Sequence, residues 1–121
     1  WIVSSENGMD EVTTTGKTFG AKLFNGELSE FELEPKIFGI EQISIDKLRG
    51  GDSNYNAKAI IQLLNGEKGP FRDVVKVNAI CSILASGFTN DIKEASEMVT
   101  KSIDSKSALE KLNLLKQVSN T

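Results

Sequence analysis

At 121 residues the chain is long enough for one ordinary domain, and 39% hydrophobic with 26% charged residues is a folding composition, not a disordered one. A formal net charge of −3, with no cluster of Lys or Arg, argues against any nucleic-acid partner. The lack of His excludes imidazole bases and His-containing metal sites, and one cysteine, Cys81, excludes a cysteine-cluster zinc site and an internal disulfide. Chemistry is left to carboxylates, Lys and Arg, hydroxyls and backbone. No apolar run is long enough to span a bilayer and no signal or lipidation motif is present, so the expectation is no membrane partner and a reducing cytoplasm.

The chain opens on Trp1-Ile2-Val3, which reads as a buried strand entered in mid-core, as if a longer protein had been cut there. The strand stops at Asn7-Gly8-Met9-Asp10-Glu11. Two carboxylates on a loop past the carboxyl end of a strand are well placed for a ligand in an α/β fold. Oxygen ligands of this kind suit Mg²⁺, although taken alone such a pair is most often solvated or caps the next helix. Thr13 to Gly16 make a hydroxyl-rich turn, fit either to line a phosphate pocket or to bond its own backbone.

Residues 18–33 read as a β-hairpin around Asn25-Gly26. A three-residue loop, Phe24-Asn25-Gly26, would pair Leu23 with Glu27 and Phe19 with Phe31, gathering the apolar residues on one face. Pro35 ends the second strand, and Pro35 to Phe38 make one helical turn stopped by Gly39. Ser44 caps a short helix to Arg49. Gly50 ends it with positive φ, and Asp52 or Ser53 caps the next, so Gly50-Gly51 has no catalytic role. That next helix, over residues 52–65, presents an apolar stripe of Ala57, Ile60, Ile61 and Leu64.

Pro70 opens the core helix, apolar on all sides from Val74 to Ala85, with Cys81 as a buried, inert thiol. Asn78 within it needs partners. A local bond is the reading preferred here, with bracing of the Asp-Glu loop as the alternative. Arg72 is expected in a surface ion pair of little energetic weight. Thr89 or Asn90 caps a helix with Ile92, Ala95, Val99 and Ile103 inward. Asp104 or Ser105 caps the last, with Ala108, Leu109, Leu112 and Leu115 inward, and Asn120-Thr121 frays. The sum is an α/β chain with one core strand, a hairpin and about four main helices.

Several segments together resemble anthranilate phosphoribosyltransferase. They are Gly8-Met9-Asp10-Glu11-Val12 with Thr14-Thr15-Gly16, Leu48-Arg49-Gly50-Gly51-Asp52, Asn65 to Asp73, and Ser107 to Leu112. The resemblance covers almost the whole chain but only the C-terminal part of that longer family protein. It implies a single partial domain over residues 1–121, from the phosphoribosyltransferase and nucleoside phosphorylase catalytic fold, with a strand drawn from a mostly parallel sheet. The family's upstream phosphate loop and its N-terminal dimerising helices would lie outside the chain.

The resemblance further implies that Asp10 and Glu11 hold Mg²⁺ on the diphosphate of phosphoribosyl pyrophosphate, in an enzyme that transfers phosphoribosyl to anthranilate for tryptophan biosynthesis. No catalytic residue is assigned, and the chain alone is expected to be inactive. The full-length protein is expected to be a homodimer. The chain itself is expected either to self-associate through an exposed strand edge or to leave residues 1–16 poorly ordered. Two rivals share the fold: a nucleic-acid-binding branch, disfavoured by the acidic charge, and a pyrimidine nucleoside phosphorylase, disfavoured by the Asp-Glu pair and Gly66-Glu67-Lys68-Gly69-Pro70. Ser4-Ser5 departs from the His or Gly that family members often carry there, which touches the fine shape of the loop.

Overall fold

The apolar opening does form a strand, β1 (Ile2–Ser5), but it is not buried: Ile2 is 79% exposed and Trp1 43%. The computed structural model describes residues 1–120 and places β1 at the edge of a three-stranded antiparallel sheet of order β1-β2-β3. The partner is β2 (Thr18–Phe24), with Ile2 opposite Ala21 and Ser5 opposite Thr18. The expected strand with two bare edges is therefore corrected in part: β1 is paired antiparallel on one side and keeps its other edge open, and residues 1–16 follow a defined course. A turn closed by Gly8 N–H donating to the Ser5 carbonyl (3.1 Å) reverses the chain, and β2 returns alongside β1.

The hairpin also corrects the sequence reading. β3 (Glu27–Leu33) pairs with β2 so that Leu23 faces Leu28 and Phe24 faces Glu27, leaving a two-residue turn at Asn25-Gly26. Asn25 (φ 51°) and Gly26 (φ 83°) both adopt the left-handed conformation of a type I′ turn, whose twist matches the strands. The burial argument for a longer loop fails because the tip is buried on neither face: Leu23, Phe24 and Leu28 are 69%, 69% and 73% exposed. The realised register sets Phe31 opposite Gly20, where its ring fills the space a side chain would occupy and meets Trp1 at 4.8 Å between ring centroids.

Beyond β3, Pro35–Phe38 forms one 3-10 turn stopped by Gly39 at φ 70°, as its sequence directs. A second 3-10 turn spans Ile45–Leu48. Gly50 lacks the expected positive φ: Arg49 ends the turn in an extended conformation. The Gly50-Gly51 pair instead admits the side chain of Asn56, which accepts from Gly51 N–H (2.9 Å) and donates to its carbonyl (3.0 Å).

Four α-helices follow among the described residues. Helix α1 (Ser53–Leu64) is capped by Asp52, which accepts from Tyr55 N–H at 2.8 Å, a contact worth about 1 kcal/mol. Its packed side carries Leu63, not the predicted stripe; Ile60 and Ile61 are 47% and 37% exposed. Helix α2 (Pro70–Ala85) buries Val74, Val77, Ile80 and Cys81, while Val75 stays accessible, so it is the core helix but not enclosed on every side. Helix α3 (Ile92–Asp104) lays Ala95, Val99 and Ile103 on Ile80 of α2, as its periodicity predicts. Its cap is Asp91, which accepts from Lys93 and Glu94 N–H groups; Thr89 assists by accepting from Asp91 N–H.

Helix α4 (Ser107–Ser119) starts from Lys106 in the left-handed conformation without a side-chain cap. Ala108, Leu109 and Leu112 are half-buried on it, and Leu115 is exposed, contrary to expectation. Asn120 folds back to donate to the Lys116 carbonyl at 2.7 Å; Thr121, expected to fray with it, lies outside the described residues.

Arg72 is the largest departure on the helices. It is 6% exposed, and its guanidinium donates to the Gly66 carbonyl (3.0 Å) and to Asp104 (2.6 Å). It ties the first turn of α2 to the end of α1 and the end of α3. The expected ion pair is present, but its guanidinium is buried while the Asp104 carboxylate stays exposed.

Candidate functional site: the Asp10-Glu11 loop

Residues 6–17 connect β1 to β2, and three devices give them one shape. At the entrance, the Ser5 hydroxyl accepts from Met9 N–H (2.7 Å) and donates to the Asn7 side chain (2.7 Å). Asn7 in turn donates to the Thr15 hydroxyl at 2.5 Å. Ser5, at the position where the sequence departs from the resembled pattern, thus closes the loop. At the exit, the Glu6 carboxylate crosses over Gly16 to accept from Lys17 N–H (3.0 Å), through space that a Cβ on Gly16 would occupy at 1.9 Å.

Between these lie Thr13, Thr14 and Thr15, all buried. The Thr13 and Thr15 hydroxyls are 2.7 Å apart, and Thr13 accepts from Thr15 N–H. Ile43 N–H and the Gln42 amide cover the Thr14 and Thr15 carbonyls from the following segment. Thr13 and Thr15 thus bond within the turn, whereas the buried Thr14 hydroxyl has no hydrogen-bond partner among the described residues.

The third device is the anchor at Val12. Its side chain is 2% exposed and packs with Val77 and Cys81 of α2, flanked by Val3, Leu33, Phe38 and Ile40. Burial of a side chain this size contributes about 1.5–3 kcal/mol. Its backbone is held from the same helix. The Asn78 side chain accepts from Val12 N–H (3.0 Å) and donates to the Val12 carbonyl (2.8 Å), to the Val74 carbonyl (2.9 Å) and to the Glu11 carboxylate (3.3 Å). The local bond expected for Asn78 exists, and so does the bracing of the loop. The sequence signal was a lone amide in an apolar helix; its partner lay 66 residues away.

The two acids differ in setting. Asp10 is exposed, while Glu11 is half-buried between Asp10 and Asn78. Burial, and then the neighbouring Asp10 charge, push the Glu11 carboxyl above its ordinary range. A cation between them would relieve that repulsion. Among the described residues no group of three or more His, Cys, Asp or Glu side chains could enclose a metal. The donor set suits a cation that keeps its waters or shares a substrate's phosphates, which is how Mg²⁺ is ordinarily held, and does not suit a closed protein cage. A shallow cavity of about 300 Å³, lined by Met9, Ile45, Asp46, Leu48 and Arg49, abuts the loop. A second of the same volume, between α1 and α2, contains neither carboxylate.

Residues 1–109 match the family model described as the a/b domain of the glycosyl transferase family. The chain belongs to that family. Among curated relatives in the glycosyl transferase family, it is 40% identical over 121 residues to an anthranilate phosphoribosyltransferase of Rhodopseudomonas palustris strain BisA53, covering all of this chain and 36% of the relative. The Azospirillum brasilense enzyme of the same name is 40% identical, with 100% and 34% covered. The chain thus spans about a third of the length of the curated relatives it matches.

Solved structures agree. The anthranilate phosphoribosyltransferase of Saccharomyces cerevisiae in complex with 4-fluoroanthranilate superposes with a TM-score of 0.84 at 30% identity, covering 98% of this chain and 35% of that one. The same yeast enzyme in complex with PRPP and Mg gives a TM-score of 0.83 at 30% identity and the same coverage. The match falls on a C-terminal part of those proteins.

Proposed function

We propose that the chain is the C-terminal part of an anthranilate phosphoribosyltransferase and supplies its protein carboxylates for Mg²⁺. The observation that carries this reading is the adjacent pair Asp10 and Glu11, held on a loop whose next residue, Val12, is fixed to the core by side chain and backbone alike. The whole-chain likeness to enzymes of that name, one of them solved with PRPP and Mg, supports it.

In the proposed reaction the anthranilate amine forms a bond to the ribose anomeric carbon as the bond from that carbon to the diphosphate oxygen breaks, and the nitrogen gives up a proton to solvent or to the departing diphosphate. The products are N-(5-phosphoribosyl)anthranilate and pyrophosphate. When bound, the cation neutralises charge that develops on the departing diphosphate. The carboxylates of Asp10 and Glu11 would hold that cation in place, and neither is assigned the part of a general base. Asp10, exposed, offers oxygens outward; Glu11 is oriented from behind by the Asn78 amide.

Tryptophan biosynthesis, a cytoplasmic setting and a homodimeric full-length protein belong to the same proposal. The open edge of β1 and the exposed Ile2, Leu23 and Leu28 are the surfaces through which the chain alone would self-associate.

The test is anthranilate consumption by the full-length protein. Changing Asp10→Asn and Glu11→Gln together is expected to lower kcat/KM by about a hundredfold or more, the scale of losing one preorganised electrostatic contact. The 121-residue chain alone is expected to show no turnover. Full activity of the double variant would overturn the assignment.

A further inference from the structure

We propose that Asn78 is a positioning residue for the cation site: through Val12 it fixes the direction in which Glu11 presents its carboxylate. The inference rests on the metal-binding reading of Asp10 and Glu11 and adds to it a residue outside the loop.

The hydrogen-bond inventory separates this role from a structural one. A carboxamide has two N–H donors and one carbonyl. An amide serving only its own helix would stop at the Val74 carbonyl, one turn back. Here the second donor goes to the Val12 carbonyl at 2.8 Å, and the Asn78 carbonyl takes Val12 N–H at 3.0 Å. This pair of bonds also fixes the amide orientation, because a flip would set N–H against N–H and carbonyl against carbonyl. Asn78 therefore acts on Val12 as a neighbouring strand would. The Glu11 contact at 3.3 Å is the third claim on two protons and the longest. Most of the positioning thus passes through the backbone of Val12, with the direct bond as a restraint.

Around Asn78 the helix is apolar: Val74, Val77 and Cys81 are all buried. Removing the amide would leave the Val12 N–H and carbonyl without these partners at a core-packed residue. The loop would then choose among conformations, and Glu11 would no longer be held in one direction. Partners behind a metal ligand typically change metal affinity by about 10–100-fold when lost.

The test uses the full-length protein and two readouts. Mn²⁺ binding in the presence of PRPP, followed by electron paramagnetic resonance, counts bound ion without turnover; thermal unfolding reports the fold. Asn78→Ala is expected to weaken Mn²⁺ binding about tenfold. Val99→Ala, in the α2–α3 core away from the loop, is expected to lower Tm while leaving Mn²⁺ affinity unchanged. If Asn78→Ala does not fold, Asn78→Leu, close in volume and without the amide, is read in its place. Wild-type Mn²⁺ affinity in the Asn78 variant, or an equal loss in Val99→Ala, overturns the positioning role alone. A wild-type protein that binds no Mn²⁺ with PRPP overturns the metal reading together with it.

Discussion

Cys81 and Gly16 illustrate how single positions around the loop are constrained from opposite directions. Cys81 packs behind Val12, and burial pushes its thiol up to about 11. The unfolded thiol ionises near 9.0, so the folded form holds its proton more tightly, and its contribution to stability is lost as pH rises from about 9 to about 11. At pH 8 the native thiol is protonated and enclosed, and we expect no reaction with a disulfide reagent such as DTNB until urea unfolds the chain. Rapid stoichiometric labelling of the native chain would contradict the packing at Val12. Gly16 is needed for space: in Gly16→Ala the Glu6 carboxylate must leave Lys17 N–H, at a cost of about 1 kcal/mol in urea denaturation. Glu6 is a flexible side chain, so a cost several times larger would mean that the loop backbone itself had moved.

Elements are joined by contacts that no local pattern announces. Arg72 illustrates this, since its partners come from the end of α1 and the end of α3. Arg72→Met is expected to destabilise by about 2 kcal/mol, as charge-assisted bonds at a buried donor are lost. Asp104→Asn should cost about half of that, because the Asp104 side chain is 54% exposed and solvent screens the pair. Equal costs at the two positions would show that the Gly66 bond contributes nothing. In the hairpin, Gly26→Ala places a side chain at φ 83° and should cost about 1–2 kcal/mol while keeping the strand register, checked by cross-strand nuclear Overhauser contacts between Leu23 and Leu28.

These same elements show what the sequence could tell and where it stopped. Helix punctuation was legible in part, because it is local: Asp52 as a cap, Pro70 as a first turn and Gly39 as a stop hold, whereas the caps of α3 and α4 are Asp91 and Lys106 instead of Thr89 or Asn90 and Asp104 or Ser105. The α3 stripe was legible because a partner helix covers it. The α1 stripe and the hairpin register misled for one shared reason. Each was inferred from apolar residues needing cover, and in this chain Ile60, Ile61, Leu23 and Leu28 have none. Where burial was silent, turn chemistry at Asn25-Gly26 decided. Within the site, Asp10 and Glu11 stood out as a pair, whereas Asn78 and Arg72 depended on contacts 66 and 32 residues distant.

For the molecule as a whole, the loop that carries the two acids is part of the core and is not an appendage to it. Helix α2 packs on α3 through Ile80 on one side and on Val12 of the loop through Val77 and Cys81 on another. Stability and site geometry therefore share one helix, which is how a chain a third the length of its relatives holds Asp10 and Glu11 in a defined place. The most direct measurement is amide hydrogen exchange of Val12 in the 121-residue chain. Bonded to Asn78 and sealed behind α2, the Val12 amide is expected to exchange as slowly as the amides of Val77 and Ile80, through global unfolding. Exchange at the rate of an open peptide would mean that the loop is held by something other than this core.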